Sequence, residues 1–214
     1  MTKNWYELYE NDIKRNGGYK IYYEKKIKYR KKFINKIKKY ANAKVLEAGC
    51  GTGVISINLA LNNFESYSVD YDRNMLNLVE KISLAVGNNI PNLVNEDIFE
   101  VHKQFKKDEI DVTYSIGVYE HYSDSDIKKL LKNQLKISKY VFVGIPTKYF
   151  NDNEKLYGNE RFLKIKYWRN LLSSAPCEIV EEFSCYNDNF FRRLLKYRKW
   201  FKPAPIYVFV IKKL

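Results

Sequence analysis

The sequence predicts an α/β fold: a mostly parallel, seven-stranded sheet with helices on both faces and an antiparallel C-terminal strand. Three observations carry that expectation. Short apolar runs alternate with segments of helical period from Lys44 onward. The stretches between runs are long enough for helical crossovers, which parallel strands require. The first run ends in the turn Gly49-Cys50-Gly51-Thr52-Gly53, which leads into a helical pattern.

The elements follow in order. Residues 1–40 read as helical, with Ile27, Phe33, Ile34 and Ile37 as apolar positions among lysines and Gly17-Gly18 as a break. Lys44–Ala48 is a first strand and Val54–Leu61 a helix. Ser66–Val69 is a second strand, and Asp72 is placed to cap a helix through Ala85. Asn92–Asn95 is a weak third strand, and Ile110–Ser115 a fourth. Ser123 or Asp124 caps a helix from Asp126 to Leu135. Tyr140–Ile145 is a fifth strand ended by Pro146. After the aperiodic residues 146–163 come a helix, Lys164–Leu172, and strands at Cys177–Tyr186 and Ile206–Ile211.

The 214 residues suffice for one α/β domain with a substantial core. No apolar run approaches the roughly 20 residues of a membrane span, and Met1–Trp5 lacks a signal-peptide core, so a cytoplasmic protein is expected. Cys50, Cys177 and Cys185 form no Cys-x-x-Cys pair, and only His102 and His121 could join them. Neither a zinc site nor a disulfide scaffold is expected, and no metal is assigned.

The net charge of +13 is uneven. Residues 1–40 hold 13 Lys/Arg against 4 Asp/Glu, and residues 192–214 hold 8 against none, while the middle is mildly acidic. Basic ends attract phosphates. A second reading is compositional: Lys outnumbers Arg 30 to 8. Residues 1–40 are therefore read as a basic helical cap, and 41–214 as the α/β domain.

The glycine turn carries most of the functional information. Glycines permit positive φ and leave room for a ligand against the backbone at the carboxyl edge of the sheet. A dinucleotide site needs a third glycine where Val54 stands. Glu47 before the turn suits the zwitterionic methionine tail of S-adenosyl-L-methionine better than a pyrophosphate. The run Glu47-Ala48-Gly49-Cys50-Gly51-Thr52-Gly53 resembles motif I of class I S-adenosylmethionine-dependent methyltransferases, whose fold is Rossmann-like. Tyr67–Leu76 resembles the family's second strand and its acidic end, Asn95-Glu96-Asp97-Ile98 its third motif, and Asp111–His121 its fourth strand and following loop.

The resemblance covers residues 44–146. It implies that Glu47, Gly49, Cys50, Gly51, Gly53, Asp70, Tyr71, Asp97, Ile98 and Ser115 hold the cofactor. Asp70 would meet both ribose hydroxyls, Asp97 the adenine amino group and Ile98 the ring. The family's Leu-Lys-Pro-Gly-Gly turn is missing before the fifth strand, where Leu135-Lys136-Ile137-Ser138-Lys139 stands. The Asn/Asp-Pro-Pro-Tyr motif of enzymes that methylate base amino groups and the Pro-Cys pair of cytosine C5 chemistry are also missing.

Methyl transfer needs in-line positioning, and a base only when the acceptor arrives protonated. His121, just after the fourth strand, is the candidate base; it could instead cap the following helix. Glu120 is a second catalytic candidate, placed to orient an acceptor or His121. Tyr119, Tyr22 and Tyr23 are candidate substrate walls. The aromatic residues of the first 23 positions could equally be the packed side of a helix. The expected function is methyl transfer to a small-molecule acceptor, phosphorylated or sugar-linked. One alternative is an RNA methyltransferase using the basic ends, with nucleic acid a less favoured partner. The other is a non-catalytic cofactor- or partner-binding protein.

Overall fold

The structure, a computed structural model, describes residues 4–147, 159–185 and 206–214. Two helices come first, α1 (Trp5–Arg15) and α2 (Tyr19–Tyr40). Then follow β1 (Lys44–Ala48), α3 (Val54–Leu61), β2 (Glu65–Asp70), α4 (Arg73–Val86), β3 (Asn92–Asn95) and β4 (Ile110–Ile116). The chain continues through α5 (Asp124–Ile137), β5 (Ser138–Pro146), α6 (Ile165–Leu172), β6 (Cys177–Ser184) and β7 (Ile206–Lys213).

The strands form one sheet in the order β3-β2-β1-β4-β5-β7-β6. The first five are mutually parallel, while β7 runs antiparallel between β5 and β6. The C-terminal strand is therefore antiparallel as the sequence predicts, but it is inserted one place in from the edge. The strand order reverses between β1 and β4. In open α/β sheets such a reversal point is where a crevice forms at the carboxyl edge, because the crossovers leave in opposite directions.

Period-two alternation splits the core into two layers. Val45, Tyr114, Phe142, Val208 and Val210 face α2, α3 and α4. Leu46, Ala48, Val69, Val143 and Phe209 face α5 and α6. Phe33, Ile34 and Ile37 of α2 are buried in the first layer. Their burial is worth about 1.5–3 kcal/mol each, so α2 is bound to the core by its apolar stripe despite its lysines.

Local signals place most boundaries. Asp72 caps α4, its Oδ1 accepting the Asn74 N–H at 2.9 Å. Ser123 caps α5, accepting the Asp126 N–H at 3.2 Å and donating to that side chain at 2.6 Å. Gly17 and Gly18, both at φ +94°, turn the chain between α1 and α2. α5 is longer than its sequence pattern suggests and passes directly into β5 at Ser138, whose hydroxyl meets that of Thr113 at 2.5 Å. Tyr186, expected at the end of β6, lies outside the described residues, as do 148–158 of the aperiodic stretch and 192–205 of the basic C-terminal segment. Among the described residues, no helix is long and apolar enough to cross a membrane.

Candidate active site

β1 delivers the chain to the crevice, and the three glycines turn it. Gly49, Gly51 and Gly53 have φ of +69°, +54° and +61°. A Cβ on Gly49 would come within 2.9 Å of Val118, and one on Gly53 within 2.7 Å of Val79. Only glycine satisfies both the backbone and the space at these two positions. The Gly53 N–H closes the turn onto the Cys50 carbonyl at 2.9 Å, and the Cys50 N–H ties it to Val69 of β2 at 2.9 Å.

Asp70 ends β2 beside this turn. Its carboxylate accepts the Gly51 N–H at 3.2 Å and the Asp72 N–H at 3.0 Å. Burial raises its pKa, and these N–H groups partly offset that cost. Tyr71 is next in the chain and 71% exposed. Asn95 clips this corner by donating to the Asp70 and Tyr71 carbonyls at 3.0 and 2.8 Å. Asp97 is exposed, its Oδ1 accepting the Phe99 N–H at 2.8 Å, whereas Ile98 is buried in the α5-side layer.

Glu47 lies beneath the turn. Its carboxylate accepts the Ser56 N–H at 3.0 Å in the first turn of α3. Burial pushes its pKa up to about 7, opposed by the Ser56 hydrogen bonds. Cys50 is buried within the turn, its thiol pushed well up by burial.

The loop after β4 forms the opposite wall. Gly117, at φ +76°, leads into a single helical turn, Tyr119–His121. The chain returning toward α6 is clamped onto this turn by Arg161. Its N–H donates to the Glu120 carbonyl at 3.1 Å, and its guanidinium reaches the Tyr122 carbonyl at 2.7 Å and Asp124 at 2.6 Å. His121 Nδ1 lies 2.8 Å from Asn159 Oδ1, and the Trp5 ring meets the imidazole edge-on at 5.8 Å between centroids.

Glu120 is buried, and its Oε2 has no hydrogen-bond partner among the described residues. Burial pushes its pKa up to about 8. Ser115 Oγ, at the end of β4, is likewise buried without a partner among the described residues.

Tyr119 is fully buried in the α5-side layer, its hydroxyl donating to Gln134 at 3.0 Å. Tyr22 and Tyr23 are buried on α2; the Tyr22 hydroxyl pairs with Thr52 of the glycine turn, and the Tyr23 hydroxyl accepts from Asn58 at 3.0 Å. α1 adds further aromatic groups beside the glycine turn and His121. Trp5 stacks on Tyr9, and Tyr9 lies over Gly51, its ring 3.7 Å from where a Cβ would stand. The four-residue spacing of Trp5 and Tyr9 puts them on one helix face. Nothing local tells which partner that face meets, and no local signal marks Asn159 or Arg161.

A tight glycine turn, a buried carboxylate closing it and a strand-order switch together define a Rossmann-like protein built to hold a nucleoside-containing cofactor. The sequence model of the methyltransferase domain family matches residues 19–200, and the chain belongs to that family. It is thus a methyltransferase of the S-adenosylmethionine-dependent class. Solved structures share its fold. A magnesium protoporphyrin IX methyltransferase from Synechocystis PCC 6803, crystallised with S-adenosylhomocysteine, is 15% identical with a TM-score of 0.64, over 86% of this chain and 81% of that one. An S-adenosylmethionine-dependent methyltransferase from Clostridium acetobutylicum ATCC 824 is 18% identical with a TM-score of 0.63, over 87% and 91%. The methyltransferase domain of a bacterial Hen1 is 17% identical with a TM-score of 0.62, over 85% and 96%. Comparison with curated protein sequences finds no match.

Proposed function

We propose that the protein transfers a methyl group from S-adenosylmethionine to a small acceptor, phosphorylated or sugar-linked, with His121 as the base. What supports a small acceptor is the cover over the site. Tyr9 lies on the glycine turn and Trp5 on His121, so an acceptor reaching the same edge must fit beneath α1.

The cofactor supplies a methyl group on a cationic sulfur that leaves with the electron pair. Asp70 would hold the ribose hydroxyls, Asp97 the adenine amino group and Ile98 the ring face, with Tyr71 and Ser115 flanking. Glu47 supports the site from below by fixing the first turn of α3. Glu120, held neutral near pH 7 by its burial, would donate a hydrogen bond to an acceptor oxygen. His121 would take the acceptor proton.

Titration calorimetry with S-adenosylhomocysteine tests the reading, followed by a turnover screen over hydroxyl and amine acceptors bearing phosphate or sugar. Absence of S-adenosylhomocysteine binding overturns it. Binding without turnover of any acceptor class favours a non-catalytic cofactor-binding protein.

One observation favours RNA as a second reading. The outer side of α2 exposes Lys20, Lys25, Lys28, Lys31 and Lys39 beside Tyr29, which is 60% exposed. Phosphate contacts of this kind give steeply salt-dependent affinity. Lack of transfer RNA binding at low salt removes that alternative.

A further inference from the structure

We propose that Asn159 is a positioning residue that fixes His121 as the tautomer protonated on Nδ1, making Nε2 the basic nitrogen. This rests on His121 being the base.

The carboxamide oxygen of Asn159 can only accept a hydrogen bond. Its 2.8 Å approach to His121 Nδ1 therefore requires the proton on that nitrogen. An unconstrained neutral imidazole prefers the opposite form, with the proton on Nε2, so the contact works against the intrinsic preference.

Asn159 is itself placed by Arg161, two residues further on. Two peptide units span about 7 Å at most. Three Arg161 contacts, to the Glu120 carbonyl, the Tyr122 carbonyl and Asp124, therefore set where Asn159 sits against the His121 turn. Asp124 is held below its ordinary pKa by Tyr167 and Arg161, so the clamp stays charged through the neutral range. The Trp5 ring meets the imidazole edge-on and limits its rotation.

In the reaction, the bond from the acceptor atom to hydrogen breaks, its electron pair stays on that atom, and the proton ends on Nε2. The imidazolium so formed keeps its Nδ1–H on Asn159 Oδ1, which stabilises the new charge without a carboxylate. Among the described residues, the His121 ring is met by Asn159 of the return segment and by Trp5 of α1.

The test is long-range proton–nitrogen NMR on the uniformly nitrogen-15-labelled full chain carrying H102Q, which leaves His121 as the only histidine. Spectra are recorded at a pH where the ring is neutral. The expected result is a pyrrole-like Nδ1 and a pyridine-like Nε2. N159L should invert this pattern to the Nε2-protonated form, while N159D, which keeps an acceptor oxygen, should retain it. R161Q should also invert it, although Asn159 is still present. An Nε2-protonated His121 in the protein with Asn159 intact overturns the proposal, as does an unchanged Nδ1–H signature in N159L. Should N159L not fold, R161Q and N159D still decide. Failure to bind S-adenosylhomocysteine would sink the proposed function and leave the tautomer assignment standing. An inverted tautomer would sink only this inference.

Discussion

Asp70 and Gly51 are joined across the first two strands, the Asp70 carboxylate accepting the Gly51 N–H at 3.2 Å. One side chain thus closes the glycine turn and fixes the corner at which a ribose would bind. Its second oxygen holds the Asp72 N–H at 3.0 Å, so the carboxylate is oriented before any ligand arrives.

The first prediction follows from that pairing. Asp70→Asn places an amide donor against one of two backbone donors and removes the charge proposed to face the sugar. Hydrogen bonds to charged groups contribute about 1.5–3 kcal/mol. Affinity for S-adenosylhomocysteine should fall about 10- to 100-fold in calorimetry. An affinity within threefold of the parent would refute the assignment of Asp70.

Gly53 gives the second. Alanine there must adopt φ +61° and drive its Cβ to within 2.7 Å of Val79. The left-handed conformation costs roughly 1–2 kcal/mol, and overpacking about 1–3 more. Urea unfolding should show Gly53→Ala destabilised accordingly, with Val79→Ala in the same chain recovering only the packing part. Strict additivity of the two substitutions would contradict the contact.

Glu47 makes stability depend on pH. Its carboxyl has an ordinary pKa of 4.5 and is raised to about 7 by burial. Between these values the folded chain keeps a proton that the unfolded chain releases, so stability declines as pH rises from about 4.5 to 7 and levels off above. The shift corresponds to about 3 kcal/mol at most. Glu47→Gln should flatten that part of the curve while still accepting the Ser56 N–H. Urea midpoints at pH 5 and pH 8 measure it. Equal declines in parent and variant would exclude Glu47 as the source.

Asp111 has the opposite sign. Burial would raise its pKa, but Lys139 and the N–H groups of Asn42, Ala43 and Lys44 outweigh that and hold it below 3.8. Its stabilising effect is therefore present above its ordinary pKa and lost as pH falls through the lower folded value. Asp111→Asn should cost about 2 kcal/mol at pH 7, and the gap to the parent should narrow as pH falls through that lower folded value. A difference that stays constant down to pH 2 would argue against an ionised Asp111.

Much of the architecture was readable from local pattern. Strand runs such as Val45–Ala48, the helix caps Asp72 and Ser123, and the glycine turn are recognisable because each depends on residues within a turn or two of one another. The motif residues converge because a parallel sheet places successive strand ends on one edge, which brings Gly49–Gly53, Asp70, Asp97 and Gly117–His121 together. The neighbours of Tyr22 and Tyr23 are not legible locally, because an aromatic stripe on a helix looks the same whether it faces a ligand or a core.

The sequence by itself determined the order of the elements, the cofactor turn and the acidic residue that closes it, since these follow from backbone sterics and hydrophobic period. Only the tertiary structure decided that Glu47 lies under the turn, that β7 enters between β5 and β6, and that Trp5, Asn159 and Arg161 surround His121. Those relations join segments far apart in the chain. They are chosen by which surfaces pack with least void and fewest unpaired polar groups once all the elements compete for the same core, and no local window carries that comparison.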